Sequence, residues 1–211
     1  MTTAKTAEYI FDKYACQYQD KYMNVETYSQ GLDMFCNAIK RSNANVLELG
    51  CGPGNMTHYV LNKRPDLKIF ATDISKNMIL LAKNNVANID FAVMDCREIT
   101  QLNKKYDAIL CGFCLPYLNK DEAKKLLQDS AQLLHQGGVM YIGTIQGEYS
   151  DSALQGLSSC KEDALQLYYY STDQLMKMVM SSGFSLITEQ RINRGEDNDL
   201  VFIINKTDVK E

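Results

Sequence analysis

The chain has 211 residues, 45% of them hydrophobic and 23% charged, which suits one domain, or one domain with an appendage, and excludes a disordered chain. Its net charge is −4 and its Lys and Arg are scattered, which disfavours nucleic acid as a partner because phosphate binding needs a concentrated basic face. No apolar run approaches the ~18 residues of a membrane span, and MTTAKTAEYI has no apolar signal-peptide segment, so a cytoplasmic location is expected.

From Thr6 to about Arg41 the pattern is helical. Phe11, Tyr14, Tyr18 and Tyr22 recur at three- and four-residue spacing, as on one helix face, and Leu32, Phe35, Cys36 and Ile39 mark a second helix. After the break at Asn43–Asn45, strands and helices alternate. Val46–Leu49 reads as a buried strand, and a glycine turn then opens a helix over Asn55–Lys63 that Pro65 stops. Lys68–Thr72 is a second strand ending at Asp73, and Ser75 is the expected N-cap of a helix carrying Met78, Ile79, Leu81 and Ala82. Ile89–Met94 ends at Asp95, and Asp107–Cys111 is a fourth strand. A helix from about Asp121 to His135 is closed by Gly137 and Gly138 before a fifth strand, Val139–Ile145.

Short buried strands joined by helices need crossover connections, hence an α/β fold with a mainly parallel sheet covered on both faces. Gln146–Tyr170 is polar and without a clear period. Ser171 and Gln174 fit a capping box for a helix ending at Gly183. Phe184–Arg191 and Leu200–Asn205 flank the turn-rich Asn193–Asp199, and strands joined that closely pair antiparallel.

A strand that ends in a glycine turn and opens a helix presents unpaired N–H groups to a polar or anionic group, and glycine lets that group approach. Gly50, Gly52 and Gly54 make that turn here. Asp73 ends the next strand, where an acid hydrogen-bonds ribose hydroxyls in doubly wound sheets, Asp95 ends the third, and Glu48 precedes the turn. Three acids around one cleft tolerate a cationic ligand better than a pyrophosphate. The spacing G-x-G-x-G also differs from the dinucleotide fingerprint G-x-G-x-x-G.

Taken in order, VLELGCGPGN, ATDIS..MILLAK, FAVMDCREI and YDAILCGFCLPYL resemble the motifs of class I S-adenosylmethionine-dependent methyltransferases, and specifically the small-molecule type found in ubiquinone and menaquinone biosynthesis. The resemblance spans Val46 to Ile145 and continues more loosely through YYYSTDQLMKMVMSSGF. It implies a Rossmann-like, doubly wound, seven-stranded sheet, mostly parallel with an antiparallel last strand. It places a methyltransferase domain at 44–211 and a helical lid at 1–43, with a substrate-side insertion at about 146–170. The resemblance further implies that the backbone of Gly50, Cys51, Gly52 and Gly54 faces the methionine part of S-adenosyl-L-methionine. Asp73 would accept from both ribose hydroxyls, with Ile74 and Met78 covering the adenine. Asp95, helped by the backbone of Cys96, would bind the adenine amino group, and Gly112 and Phe113 would lie beside the reacting methyl. For Met78, core packing is an equal reading.

Tyr14, Tyr18 and Tyr22 are expected to cap the cofactor with hydroxyls or to pack against the domain. No catalytic base stands out, and His58 and His135 read as structural or solvated. Tyr117 and Tyr18 are the candidates for a hydroxyl near the reaction; Phe113 and Leu115 offer apolar walls or pack in the core. GFCLPYL lacks the D/N-P-P-Y/F signature of adenine and glutamine N-methyltransferases, so a small-molecule acceptor is expected rather than nucleic acid, with the protein a monomer or homodimer. Cys111 and Cys114 form a lone C-x-x-C without a second ligand pair, which reads as strand-end thiols and no metal site. The competing functions are a non-catalytic protein of the methyltransferase fold and an NAD-dependent oxidoreductase.

Overall fold

The computed structural model describes residues 4–156, 163–195 and 198–207. It begins with strand β1 (Ala4–Lys5), then helices α1 (Ala7–Lys13), α2 (Ala15–Tyr22) and α3 (Ser29–Ala38). Next come β2 (Asn45–Leu49), α4 (Asn55–Lys63), β3 (Lys68–Asp73), α5 (Lys76–Asn85) and β4 (Asp90–Val93). The chain continues through β5 (Tyr106–Gly112), α6 (Lys120–Leu133), β6 (Leu134–Gln146), β7 (Ala153–Gly156) and β8 (Ala164–Leu167). It closes with α7 (Thr172–Ser181), β9 (Phe184–Asn193) and β10 (Asn198–Lys206).

Seven strands form the main sheet in the order β4-β3-β2-β5-β6-β10-β9. β4, β3, β2, β5 and β6 pair in parallel, and β10 runs antiparallel to both neighbours, β6 and β9. The Rossmann-like sheet with its antiparallel last strand is therefore present. Strand order reverses between β2 and β5, the position where a crevice opens beyond the strand ends. Alternation along each strand builds a core on either face. Leu47 and Leu49 join Ile109, Met140 and Ile142 under α6 and α7, whereas Val46 joins Ile69, Ala71 and Leu110 with α3 and α4. Glu48 shares the Val46 face, which points it at α4.

The helix expected through Phe11, Tyr14, Tyr18 and Tyr22 is two helices, broken at Tyr14 (φ −109°, ψ 21°). Tyr14 donates its hydroxyl to Asp163 at 3.0 Å, and the Lys13 ammonium pairs with the same carboxylate at 2.8 Å. The break folds Phe11 and Tyr18 towards each other, with ring centroids 5.8 Å apart.

Two further expectations are corrected. The helix thought to reach His135 stops at Leu133, because Leu134 already pairs with Tyr106; Gly137 and Gly138 lie inside β6, at an irregularity rather than a helix stop. The polar segment 146–170 contains a short 3-10 turn and two strands. β7 pairs antiparallel with β8, and β8 pairs in parallel with β1, giving a second sheet of three strands. Residues 157–162 of this segment, and 196–197 of the expected turn at 193–199, lie outside the described residues.

Candidate functional site

The end of β2 is built for close approach. Gly50, Gly52 and Gly54 all have positive φ (64°, 53° and 83°). A Cβ at Gly50 would lie 2.6 Å from the Cys114 sulfur, so neither conformation nor space admits a side chain there. The loop is fastened to the next strand: the Cys51 N–H donates to the Thr72 carbonyl at 2.9 Å, and the Gly52 N–H to Asp73 Oδ2 at 2.8 Å. The other Asp73 oxygen accepts the Ser75 N–H at 2.8 Å. Burial raises the Asp73 pKa, and the backbone donors Ser75, Gly52 and Ile74 partly offset that rise.

A cavity of about 410 Å³ opens over this loop. Its wall includes Gly50, Gly52, Asp73, Ile74, Met78 and Asp95, then Cys96, Gly112 and Phe113. Met78 is also 1% exposed, so packing and cavity wall are the same position. Phe113 stands at the end of β5 with φ +63°, a conformation costing a non-glycine residue about 1–2 kcal/mol, and its N–H is held by the Gly143 carbonyl at 3.0 Å. That conformation turns the ring towards Tyr28, with centroids 5.1 Å apart.

A second cavity of about 120 Å³ adjoins the first and shares Phe11, Tyr18, Gly50, Gly52, Gly112, Phe113 and Tyr117 with it. Glu48, Cys51 and Tyr22 line only this one. Glu48 is 2% exposed, and burial pushes its pKa up to about 8, although Thr57 Oγ1 donates to Oε2 at 2.6 Å and favours the charged form. Tyr18 and Tyr117 are held above the usual phenol range by burial.

Of the residues singled out from sequence, Gly54 and Tyr14 line neither cavity. Gly54 opens α4 and packs on α5; its Cβ would meet Val86 at 3.1 Å and Ala82 at 3.4 Å. Tyr14 is turned to Asp163 instead. Asp95 is in the wall but is also forked by Arg97, whose Nε and Nη2 donate to Oδ2 at 2.9 and 2.6 Å. Burial opposes ionisation of Asp95, yet the Arg97 guanidinium and backbone N–H hold its pKa below the usual range. Leu115 is fully buried in the core, and His58 and His135 are exposed. Cys111 is buried, and the Cys114 thiol donates to the Leu49 carbonyl at 3.2 Å. Among the described residues, no group of three or more His, Cys, Asp or Glu could hold a metal ion.

Of Tyr168, Tyr169 and Tyr170, one of which was expected to point into the cleft, Tyr168 lines the larger cavity, whereas sequence reasoning missed Tyr28, Asn119, Glu122 and Arg194 as cavity residues. Tyr28 sits between helices and Arg194 in the β9–β10 connection, so no local motif marks either. The Asn119 capping box with Glu122 was readable as a helix start, but not as a cavity rim.

The N-terminal helices line the two cavities and are tied to the loops around them. Asp12 accepts from Ser75 Oγ at 3.0 Å and from the Asn77 N–H at 2.9 Å, Asn55 Nδ2 donates to the Tyr22 carbonyl at 2.8 Å, and Asn85 Nδ2 bridges Gln19 Oε1 and the Pro53 carbonyl at 2.7 and 2.8 Å.

Comparison with known proteins agrees with this geometry. Residues 46–138 match the model of a methyltransferase domain. A putative methyltransferase, 235L, of Invertebrate iridescent virus 6 is 31% identical over 127 residues, 56% of this chain and 47% of that protein. The malonyl-[acyl-carrier protein] O-methyltransferase of Acetivibrio thermocellus is 33% identical over 117 residues, 54% of this chain and 39% of that protein. The chain thus matches less than half the length of these two relatives. The structure of a Burkholderia thailandensis 1,6-didemethyltoxoflavin-N1-methyltransferase, with 1,6-didemethyltoxoflavin and S-adenosylhomocysteine bound, superposes with a TM-score of 0.70 at 19% identity, over 99% of this chain and 94% of the other. No described helix is long and apolar enough to cross a membrane. A glycine loop, acids at successive strand ends and an acidic cavity wall suit a nucleoside bearing a sulfonium, and they lie in or beside the segment 46–138 that matches a methyltransferase domain.

Proposed function

We propose that the chain transfers the methyl group of S-adenosylmethionine to a small-molecule acceptor held between the N-terminal helices and the segment 146–170. The observation that carries this reading is the aromatic wall over the reacting end of the crevice. Phe11 of α1 packs edge-on to Tyr117 at 5.0 Å and to Tyr18 of α2 at 5.8 Å, and these three rings wall both cavities, the smaller of about 120 Å³. Such a space admits a compact group rather than a polymer backbone. The 1,6-didemethyltoxoflavin bound to the Burkholderia enzyme is a small molecule, and the malonyl group in the Acetivibrio enzyme's name is small although carried on a protein.

The cofactor, when bound, supplies an activated methyl carbon and a neutral leaving group. The work left to the chain is alignment and exclusion of water. Asp73 and the Gly50–Gly52 backbone would fix the nucleoside and amino-acid ends, while Ile74 and Met78 would pack the base. Asp95 would meet the base edge in competition with Arg97, which donates to both of its oxygens. Phe113, Tyr18 and Tyr117 would close the reacting end, and the two hydroxyls stand ready to hold a polar acceptor atom. Incubation with labelled S-adenosylmethionine and a metabolite library should give a labelled small product. Robust labelling of tRNA or DNA would overturn the small-molecule reading. Tight binding without turnover would favour a binding protein of this fold, and binding of NADH in preference would favour an oxidoreductase.

A further inference from the structure

Arg194 is the one cationic side chain among the described residues that line the second cavity. It is held there by a buried carboxylate. Its Nε lies 2.5 Å from Asp199 Oδ2 and its Nη2 donates to Oδ1 at 2.9 Å, while the Tyr28 hydroxyl donates to Oδ2 at 2.7 Å. Asp199 is 0% exposed, whereas the Arg194 side chain is 31% exposed. The carboxylate is therefore the buried anchor, and the guanidinium, while paired with it, keeps part of its surface in the cavity lining. Its field is felt by Tyr18, Tyr28 and Tyr117, where it opposes the burial that raises those phenols; all three line the same cavity. The one carboxylic acid of the same described lining is Glu48.

We infer that Arg194, braced by Asp199 and Tyr28, is a carboxylate-binding residue of the second cavity. A guanidinium presents five N–H donors in a rigid plane, the geometry that carboxylates accept best, and a plane fixed beforehand loses less entropy on binding. An amino-acid end entering this cavity would bring its carboxylate to the one cation of the described lining. The carboxylate could therefore come from the cofactor's own amino-acid group or from the acceptor. The assignment of the first source rests on the function proposed above.

The experiment is calorimetric titration of wild type and Arg194 variants with two nucleosides. S-adenosylhomocysteine carries the amino-acid carboxylate, and 5′-methylthioadenosine lacks it. Arg194→Lys keeps a charge beside Asp199 but loses the fork, and the pair Arg194→Gln with Asp199→Asn leaves no buried charge unpaired; melting curves report whether each folds. The expected result is tenfold or greater weakening of S-adenosylhomocysteine in both variants, with 5′-methylthioadenosine unchanged within about twofold. If S-adenosylhomocysteine is unchanged, malonate titrated into the nucleoside-loaded protein reads the acceptor source: wild-type binding that the variants lose supports Arg194 there. Unchanged affinity for both probes overturns the assignment. If neither nucleoside binds wild type, the cofactor reading fails instead, and malonate titration of the unloaded protein decides for Arg194 alone.

Discussion

Thr57 donates its hydroxyl to Glu48 at 2.6 Å inside the protein, and burial nevertheless pushes the Glu48 carboxyl up to about 8. The folded chain thus holds the Glu48 proton more tightly than an unfolded chain does. Its contribution to stability is complete below the ordinary glutamate range and is lost as pH rises towards 8, with a slope of about 1.4 kcal/mol per pH unit in between. Urea unfolding of the ligand-free protein from pH 5.5 to 7.5 should show that fall, and Glu48→Gln should flatten it. Equal slopes in the two proteins would show that Glu48 titrates normally.

Asp73 holds the glycine loop and faces the larger cavity at once, through Gly52 and Ser75 on one side and the cavity on the other. Asp73→Ala should weaken binding of S-adenosylhomocysteine by about 1–3 kcal/mol, the usual cost of leaving polar partners unmatched. Unchanged affinity by calorimetry would remove Asp73 from the binding site.

The N-terminal helices line the cavities through Glu8, Phe11, Tyr18 and Tyr22, and Ile10 is fully buried against Leu165. Removal of the first 22 residues should leave a folded main sheet that binds S-adenosylhomocysteine poorly. Circular dichroism checks the first half of that statement and calorimetry the second. Full affinity in the truncated chain would mean that these helices do not act as a lid.

Gly50→Ala should cost stability twice over, through a left-handed backbone worth about 1–2 kcal/mol and through a clash with the Cys114 sulfur. Cys114→Ala in the same chain should recover the clash and leave the backbone cost. A double-mutant cycle measured by denaturant unfolding separates the two, and strict additivity would deny the contact.

What was legible in the sequence follows from how local its cause is. β2, β3, β4 and β5 announce themselves as short apolar runs leading to a glycine or an acid, and the acids at the ends of β3 and β4 are the cavity residues Asp73 and Asp95. The break at Tyr14 was not legible, because three- and four-residue spacing continues across it as it would in a straight helix. Asp163, 149 positions away, accepts the hydroxyl of the residue where the direction changes. Gly137 and Gly138 looked like a helix stop because the pairing of Leu134 with Tyr106 leaves no mark in the sequence. Arg194 was hidden for a related reason. It reaches the cavity only because β9 and β10 pair in a register that sets Asp199 beneath it, and sequence periodicity does not report register between strands.

The pairing of β1 with β8 has a consequence for how the chain is made. Ala4 and Lys5 leave the ribosome about 160 residues ahead of Ala164 and Leu165, a delay of roughly 8 to 30 seconds at ordinary elongation rates. Throughout that interval the first strand has an unfilled edge, and Ile10 has no Leu165 to bury it. The main sheet can assemble progressively as its strands emerge, but closure over the crevice must wait for the second half of the chain. A nascent chain stalled before residue 164 would therefore display an open crevice, and a second nascent copy on the same message could lend its own β8 to the waiting strand.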